Sequence, residues 1–99
     1  MSVLMVMKVP GDVEKFEQFA AENSELFEKV AGEGKARGAA HHAFFAGDGE
    51  IVVVDEWDEE ENFLDFFNSN EDIPPIMQQV ATGEPQISFY RPLETSDKF

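Results

Sequence analysis

Two adjacent histidines, His41 and His42, are the residues of this sequence whose side chains change charge closest to neutral pH. They lie in a segment of alternating character, and neighbouring residues of a β-strand point to opposite faces of its sheet. They therefore cannot bind one metal ion together within a single chain. A site built from one His41 of each of two subunits is an alternative, but the sequence offers no third ligand. We predict no metal site.

The hairpin tip Gly47-Asp48-Gly49 decides which residues share a face with each histidine, because glycine accepts the positive φ of tight turns. With a two-residue turn, one face of the hairpin carries His42, Phe44, Val53, Asp55 and Trp57. The other face then carries His41, Ala43, Val52, Val54 and Glu56. A three-residue loop would change this pairing, so the sequence leaves open which histidine faces the interior.

His42 beside Asp55 is a pair that can hold and move a proton, because a carboxylate orients the imidazole ring. We predict His42 as a catalytic proton-transfer group, with Phe44 and Trp57 as an aromatic wall beside it. The alternative interpretation is structural. Asp55 then only satisfies a neighbouring histidine, and Trp57 only fills the end of the core.

The elements that position these residues follow from the spacing of apolar residues. A period of 2 predicts strands over 3–9, 39–46, 51–57 and 86–91, and a period near 3.6 predicts helices over 13–30 and 58–80. We expect Gly32 and Gly34 to stop the first helix. Asp58, with Glu61 as its capping-box partner, is expected to cap the second helix, which breaks at 68–70 and restarts at 73–75.

This order of elements predicts an α+β fold, the ferredoxin-like β-α-β-β-α-β plait, in which a four-stranded antiparallel sheet has its helices on one face. We expect one domain over 1–93 and a loose tail over 94–99. The first and third strands lie at the centre of such a sheet, and both are apolar on both faces. Because a soluble monomer rarely exposes such a patch, we predict a homodimer through the sheet faces.

The composition excludes several classes of partner. The 99 residues carry a formal net charge of −14, which repels nucleic acid phosphates and anionic lipid headgroups. There is no cysteine, so disulfides and thiolate metal sites are excluded. The apolar stretch 3–7 is too short to span a membrane or to act as a signal-peptide core. We expect a cytoplasmic protein that binds neither nucleic acid nor membranes.

The chain resembles the dimeric α+β barrel superfamily, and within it the antibiotic-biosynthesis-monooxygenase-like branch. The resemblance covers nearly the whole chain and depends on the strand at 3–9, the hairpin at 39–57 and the final strand at 85–92, which ends in an aromatic pair. Asp55-Glu56-Trp57 leading into a Phe-rich helix completes it. The branch includes cofactor-independent oxygenases of polycyclic aromatics, haem-degrading enzymes and small isomerases, whose pockets lie between sheet and helices. Haem-degrading relatives use a histidine on the second helix, and 58–80 has none.

The resemblance implies a homodimer with an apolar pocket for an aromatic or polyketide-like molecule, acting as a cofactor-independent monooxygenase. His42 would be catalytic. The substrate-binding residues would be Phe44, Asp55, Trp57, Phe67 and Tyr90. One alternative is a non-catalytic dimeric ligand-binding or stress-related module, and another is a structural dimer with a filled core. A void of roughly 300 Å³ or more beside His42 and Trp57 would favour ligand chemistry, whereas a solid core would favour the structural role.

Overall fold

Four antiparallel strands form one sheet in the order β2-β3-β1-β4, and four helices accompany it in the computed structural model, which describes residues 2–99. The elements are β1 (Val3–Pro10), α1 (Val13–Glu22), α2 (Ser24–Ala36), β2 (Ala39–Gly47), β3 (Glu50–Trp57), α3 (Glu60–Ser69), α4 (Ile73–Val80) and β4 (Gln86–Tyr90). This confirms the predicted ferredoxin-like α+β fold. Each predicted helical segment is divided into two helices.

The hairpin between β2 and β3 has the two-residue turn that the sequence allows. Gly47 pairs with Glu50, so Asp48 and Gly49 alone form the turn, and Gly49 has a φ of 71°. In the resulting register His42 lies opposite Asp55. The predicted faces of this hairpin are therefore confirmed, and His42 is the histidine on the helix side.

The first helical segment departs from prediction at both of its breaks. Asn23 ends α1 because its side-chain amide donates to the carbonyl of Phe19 at 2.9 Å. The expected stop at Gly32 and Gly34 is wrong, since α2 continues to Ala36. The helix ends only before Gly38, whose φ of 122° is a conformation that favours glycine.

The second helical segment begins later than predicted. Asp58 is not the N-cap, because α3 starts at Glu60 after Glu59. The Asp58 carboxylate instead accepts from the backbone N–H of Glu59 and from the side-chain amide of Asn62, both at 2.8 Å. The capping box with Glu61 is therefore not formed. Prolines in the first turn of α4 are tolerated there, as expected.

The core lies between the sheet and the helices. Its buried hydrophobic residues are Met5, Met7, Val9, Phe16, Ile51, Val53, Trp57, Phe63, Phe66 and Val80. Half-buried residues from all four helices pack against it, which places the helices on one side of the sheet. Residues 91–99 contain no helix or strand, and the predicted boundary at 93 stays a prediction. None of the helices between residues 2 and 99 is long and apolar enough to cross a membrane.

The other side of the sheet, which we call the open face, carries no helix. Its apolar residues come from all four strands: Leu4, Val6, Ala43, Phe45, Val52, Val54 and Tyr90. Leu4 is 40%, Tyr90 54% and Phe45 55% exposed. The central strands are thus apolar on both sides, and the single subunit leaves one of those sides to solvent.

Candidate functional site

A buried carboxylate at the centre of the helix side joins two aromatic nitrogen groups. Asp55 is the buried charged residue among residues 2–99, with 6% exposure. Its Oδ1 lies 2.6 Å from Nδ1 of His42, on the neighbouring strand. Its Oδ2 accepts from the indole N–H of Trp57 at 3.0 Å, two residues further along β3. The three side chains form a connected set because strand residues two apart share a face.

The hydrogen bonds decide what His42 presents to its surroundings. The indole of Trp57 can only donate, and an ionised carboxylate can only accept. Nδ1 of His42 therefore donates to Asp55, which leaves Nε2 of the neutral ring with its lone pair. Among residues 2–99, no protein group hydrogen-bonds to Nε2. His42 is thus an oriented acceptor with one free nitrogen.

A cavity of about 120 Å³ lies between the sheet and the helices, beside this set. Most of its lining is hydrocarbon, from β1, β3 and all four helices. The lining residues with the most solvent-exposed surface are Ala31, His42 and Phe44. The cavity therefore opens between α2 and the edge strand β2, and His42 lies at its mouth. Its volume is below the roughly 300 Å³ that would favour ligand chemistry. The core is nevertheless not solid, as the structural role would require.

Aromatic rings surround the cavity at two levels. At the mouth, the ring of Phe44 lies 4.8 Å from His42, 4.9 Å from Phe16 and 5.9 Å from Phe27, as centroid separations. These tilted and edge-on arrangements are the favourable ones for aromatic pairs. The aromatic rings at the mouth therefore pack against one another in favourable geometries.

The inner end of the cavity is built around Trp57, which is 1% exposed. Its ring centroid lies 5.6 Å from that of Phe63 and 5.5 Å from that of Phe66, both on α3. Phe67 stacks on Phe63 at 5.4 Å. The Phe-rich helix thus supplies the inner wall, and Trp57 connects that wall to the carboxylate of Asp55.

The structure brings five of the predicted site residues together: His42, Phe44, Asp55, Trp57 and Phe67 all line the cavity. Tyr90 does not join them, because it pairs with Leu4 and lies on the open face. His41 is also on the open face, opposite Glu56. That His42 is catalytic and that the other four residues bind a substrate remain predictions.

Sequence reasoning missed several lining residues on the helices. Phe16 and Phe27 belong to the mouth, and Gly34 of α2 lines the inner end. The helical periodicity of the two phenylalanines could have shown that they face the sheet. Gly34 gave a misleading signal because glycine usually marks a helix end. Within residues 2–99, no group of three or more side chains is arranged to ligate a metal ion.

No family model and no curated protein matches this chain. Among solved structures, it is similar to an antibiotic biosynthesis monooxygenase, with 10% identity, a TM-score of 0.66 and coverage of 93% of this chain and 99% of the other. It is also similar to SnoaB, a cofactor-independent oxygenase from Streptomyces nogalater, with 16% identity, a TM-score of 0.64 and 98% coverage of both chains.

A dimeric ferredoxin-like protein from an uncultured marine organism is a third match, with 13% identity, a TM-score of 0.66 and coverage of 95% of this chain and 90% of the other. At such identities, the likeness concerns the fold. It confirms the ferredoxin-like α+β fold and shows nothing beyond it.

Proposed function

We propose that this protein is a small homodimer whose subunits each bind an aromatic molecule in the cavity and oxidise it with O₂ without a bound cofactor. The observation that carries the proposal is the 2.6 Å contact between His42 and Asp55 at the mouth of an apolar cavity. A base with a free nitrogen, next to rings that can receive an aromatic substrate, is the arrangement that proton abstraction requires. The fold shared with a cofactor-independent oxygenase supports it.

The chemistry begins with a phenol whose hydroxyl points to Nε2 of His42. His42 accepts the hydroxyl proton, and Asp55 stabilises the resulting imidazolium. The electron-rich ring then reduces O₂ and forms a C–O bond, giving a ring peroxide that takes the proton back from His42. Loss of the ring C–H proton with cleavage of the O–O bond leaves a quinone and water. One phenol and one O₂ thus give one quinone and one H₂O.

The open face supports the homodimer. Leu4, Phe45 and Tyr90 expose large apolar side chains there, and pairing with a second copy would bury them. Val54 lies in the central strand of this face. Val54→Asp should raise the dimer dissociation constant about a thousandfold, because ~2 kcal/mol is lost at each of two symmetric positions.

Sedimentation measures this change, with Gln18→Asp on the exposed side of α1 as the charge-matched control. The control should sediment like the wild type. If the wild type is a monomer of 11.1 kDa at micromolar concentration, the homodimer is wrong.

Oxygen uptake tests the proposed reaction. Wild type and His42→Ala are incubated with phenols, hydroquinones and anthrone, and O₂ consumption and quinone formation are followed together. With each compound that reacts, the wild type should consume one O₂ per quinone, and the variant should be slower by about 10²–10⁴-fold. Equal rates in both proteins would remove His42 from the mechanism.

A non-catalytic ligand-binding module is the second candidate. The observation that favours it is the complete hydrogen bonding of Asp55, which a structural buried carboxylate also needs. The same assay separates the two candidates. An aromatic compound that binds to the wild type without any O₂ consumption would identify the binding module.

A further inference from the structure

The cavity is large enough for one aromatic ring and too small for a fused polycycle. Its volume is about 120 Å³. An apolar cavity of about 150 Å³ in another protein binds benzene, so a single six-membered ring is close to the limit here. The three fused rings of an anthrone would require the helices to move away from the sheet.

The lining disfavours anionic ligands. Among residues 2–99, His42 and Asp55 are the only titratable side chains that line the cavity, and no lysine or arginine does so. A carboxylate or phosphate would find no cation to pair with and would lose its hydration. The net charge of −14 adds a general repulsion of anions. An anionic occupant is therefore excluded.

Among residues 2–99, Nε2 of His42 is the side-chain acceptor at the cavity mouth that has no partner. Both oxygens of Asp55 are engaged, one with His42 and one with Trp57. Nε2 of His42 is the remaining acceptor at the cavity mouth, and it calls for a single hydroxyl donor. Seven phenylalanine and tryptophan rings line the space, which favours an aromatic body.

Gly34 provides part of this space. It is the buried residue of α2, and a Cβ built on it would lie 3.5 Å from the ring of Phe66 and 3.7 Å from that of Trp57. These are ordinary contacts, so alanine would fit there. Glycine inside a helix is less favourable than alanine. Because glycine has no side chain, Gly34 leaves the inner end of the cavity open.

From size, lining and hydrogen bonding together, we infer that the cavity selects an uncharged, single-ring phenol, with its hydroxyl on His42 and its ring against Trp57, and that Gly34 sets the size limit. The inference rests on the proposed function because it concerns the same cavity. It narrows the ligand from aromatic molecules in general to one ring with a hydroxyl group.

The NMR signal of the Trp57 indole N–H tests the inference directly, because Trp57 is the one tryptophan of the chain and lines the cavity. The wild-type protein is titrated with phenol, with 4-hydroxybenzoate as the charged probe and with anthrone as the three-ring probe. Phenol should shift the signal saturably. The other two probes should leave it unchanged at the same concentrations.

Two glycine variants provide a matched pair within α2. Gly34→Ala and Gly32→Ala both remove a helical glycine, but a Cβ at Gly32 meets nothing within 4 Å. Both variants should melt at a higher temperature than the wild type. Phenol affinity should fall about tenfold in Gly34→Ala, because the ring loses part of its space, and stay unchanged in Gly32→Ala.

The hydroxyl contact is tested by comparing phenol with toluene. The ratio of phenol affinity to toluene affinity should fall about three- to tenfold in His42→Leu, because one hydrogen bond is lost. An unchanged ratio would remove His42 from ligand recognition. Equal phenol affinity in the two glycine variants would remove Gly34 as the size determinant.

The outcomes distinguish this inference from the proposed function. If anthrone shifts the Trp57 signal as strongly as phenol does, the one-ring limit is wrong, while the proposed aromatic pocket stands. If no aromatic probe shifts the signal, both the inference and the proposed function are wrong. The wild-type titrations alone decide between these outcomes, so the result does not depend on any variant folding.

Discussion

Asp55→Asn and Asp55→Ala perturb the same buried carboxylate in two different ways. Asparagine keeps the shape of aspartate, so its carbonyl can still accept from the indole N–H of Trp57. Its amide group, however, donates to Nδ1 of His42 where the carboxylate accepted. The His42 proton must then move to Nε2. Asp55→Asn is therefore expected to turn the free acceptor at the cavity mouth into a donor.

The expected loss of stability differs between the two variants. Asp55→Asn exchanges charge-assisted hydrogen bonds for neutral ones, at a cost of about 1 kcal/mol. Asp55→Ala removes both hydrogen bonds and leaves the indole N–H of Trp57, a residue that is 1% exposed, without a partner. His42 is 36% exposed and regains water, so its share is small. We expect a total loss of about 3 kcal/mol for alanine.

Urea denaturation measures these losses. Both variants are compared at one protein concentration, because the stability of the proposed dimer would depend on it. Nitrogen chemical shifts of the His42 ring report which nitrogen carries the proton. The reasoning is refuted if alanine costs no more than asparagine, or if Asp55→Asn keeps the proton on Nδ1. Under the proposed function, Asp55→Asn should also lose O₂ consumption by about 10²–10⁴-fold while remaining folded.

Two further predictions concern structure away from the cavity. Gly38→Ala should destabilise the fold by about 2 kcal/mol or more in urea denaturation, because Gly38 has a positive φ and a Cβ there would clash with Asp58. Gly49→Ala should cost about 1 kcal/mol, because Gly49 also has a positive φ but has open space around it. A hydrogen bond to Asp72 raises the pKa of Lys29, with coulombic attraction adding to it. This ion pair stabilises the fold below the pKa of unfolded lysine and is lost as pH rises through the folded value. Asp72→Asn should lower the Lys29 pKa in an NMR titration, and an unchanged pKa would contradict the pairing.

The sheet could be predicted from the sequence because its determinants are local. Strand alternation shows which residues share a face, and Asp48-Gly49 fixes how β2 and β3 pair. With a two-residue turn, the sequence alone predicts that His42 and Asp55 lie side by side, as they do in the sheet. Tyr90 shows the limit of such reasoning. Its face depends on how β4 pairs with β1. Tyr90 lies opposite Leu4, far away along the chain, and no turn joins those two strands.

The helix ends could not be predicted, since tertiary packing overrides local signals there. Gly34 has the residue type of a helix stop but lies inside α2 against Phe66. Asp58 is a residue type that often caps helices and lies at the right spacing. Its carboxylate nevertheless accepts hydrogen bonds from Glu59 and Asn62 while Asp58 itself lies outside the helix. The hydrogen bond from Trp57 to Asp55 was also missed. Its signal was present, because a buried indole N–H needs a partner and these two residues share a strand face.

Strand β3 separates the open face from the cavity by the alternation of its side chains. Val52 and Val54 point to the open face, whereas Asp55 and Trp57 point to the cavity. Because the side-chain period of a strand is 2, a substitution on one face leaves the other face's contacts in place. Val54→Asp should therefore dissociate the proposed dimer, and phenol should still shift the Trp57 indole signal as it does in the wild type. If the monomeric variant no longer binds phenol, the partner subunit must help to shape the cavity, and the single-subunit geometry would not be sufficient for binding.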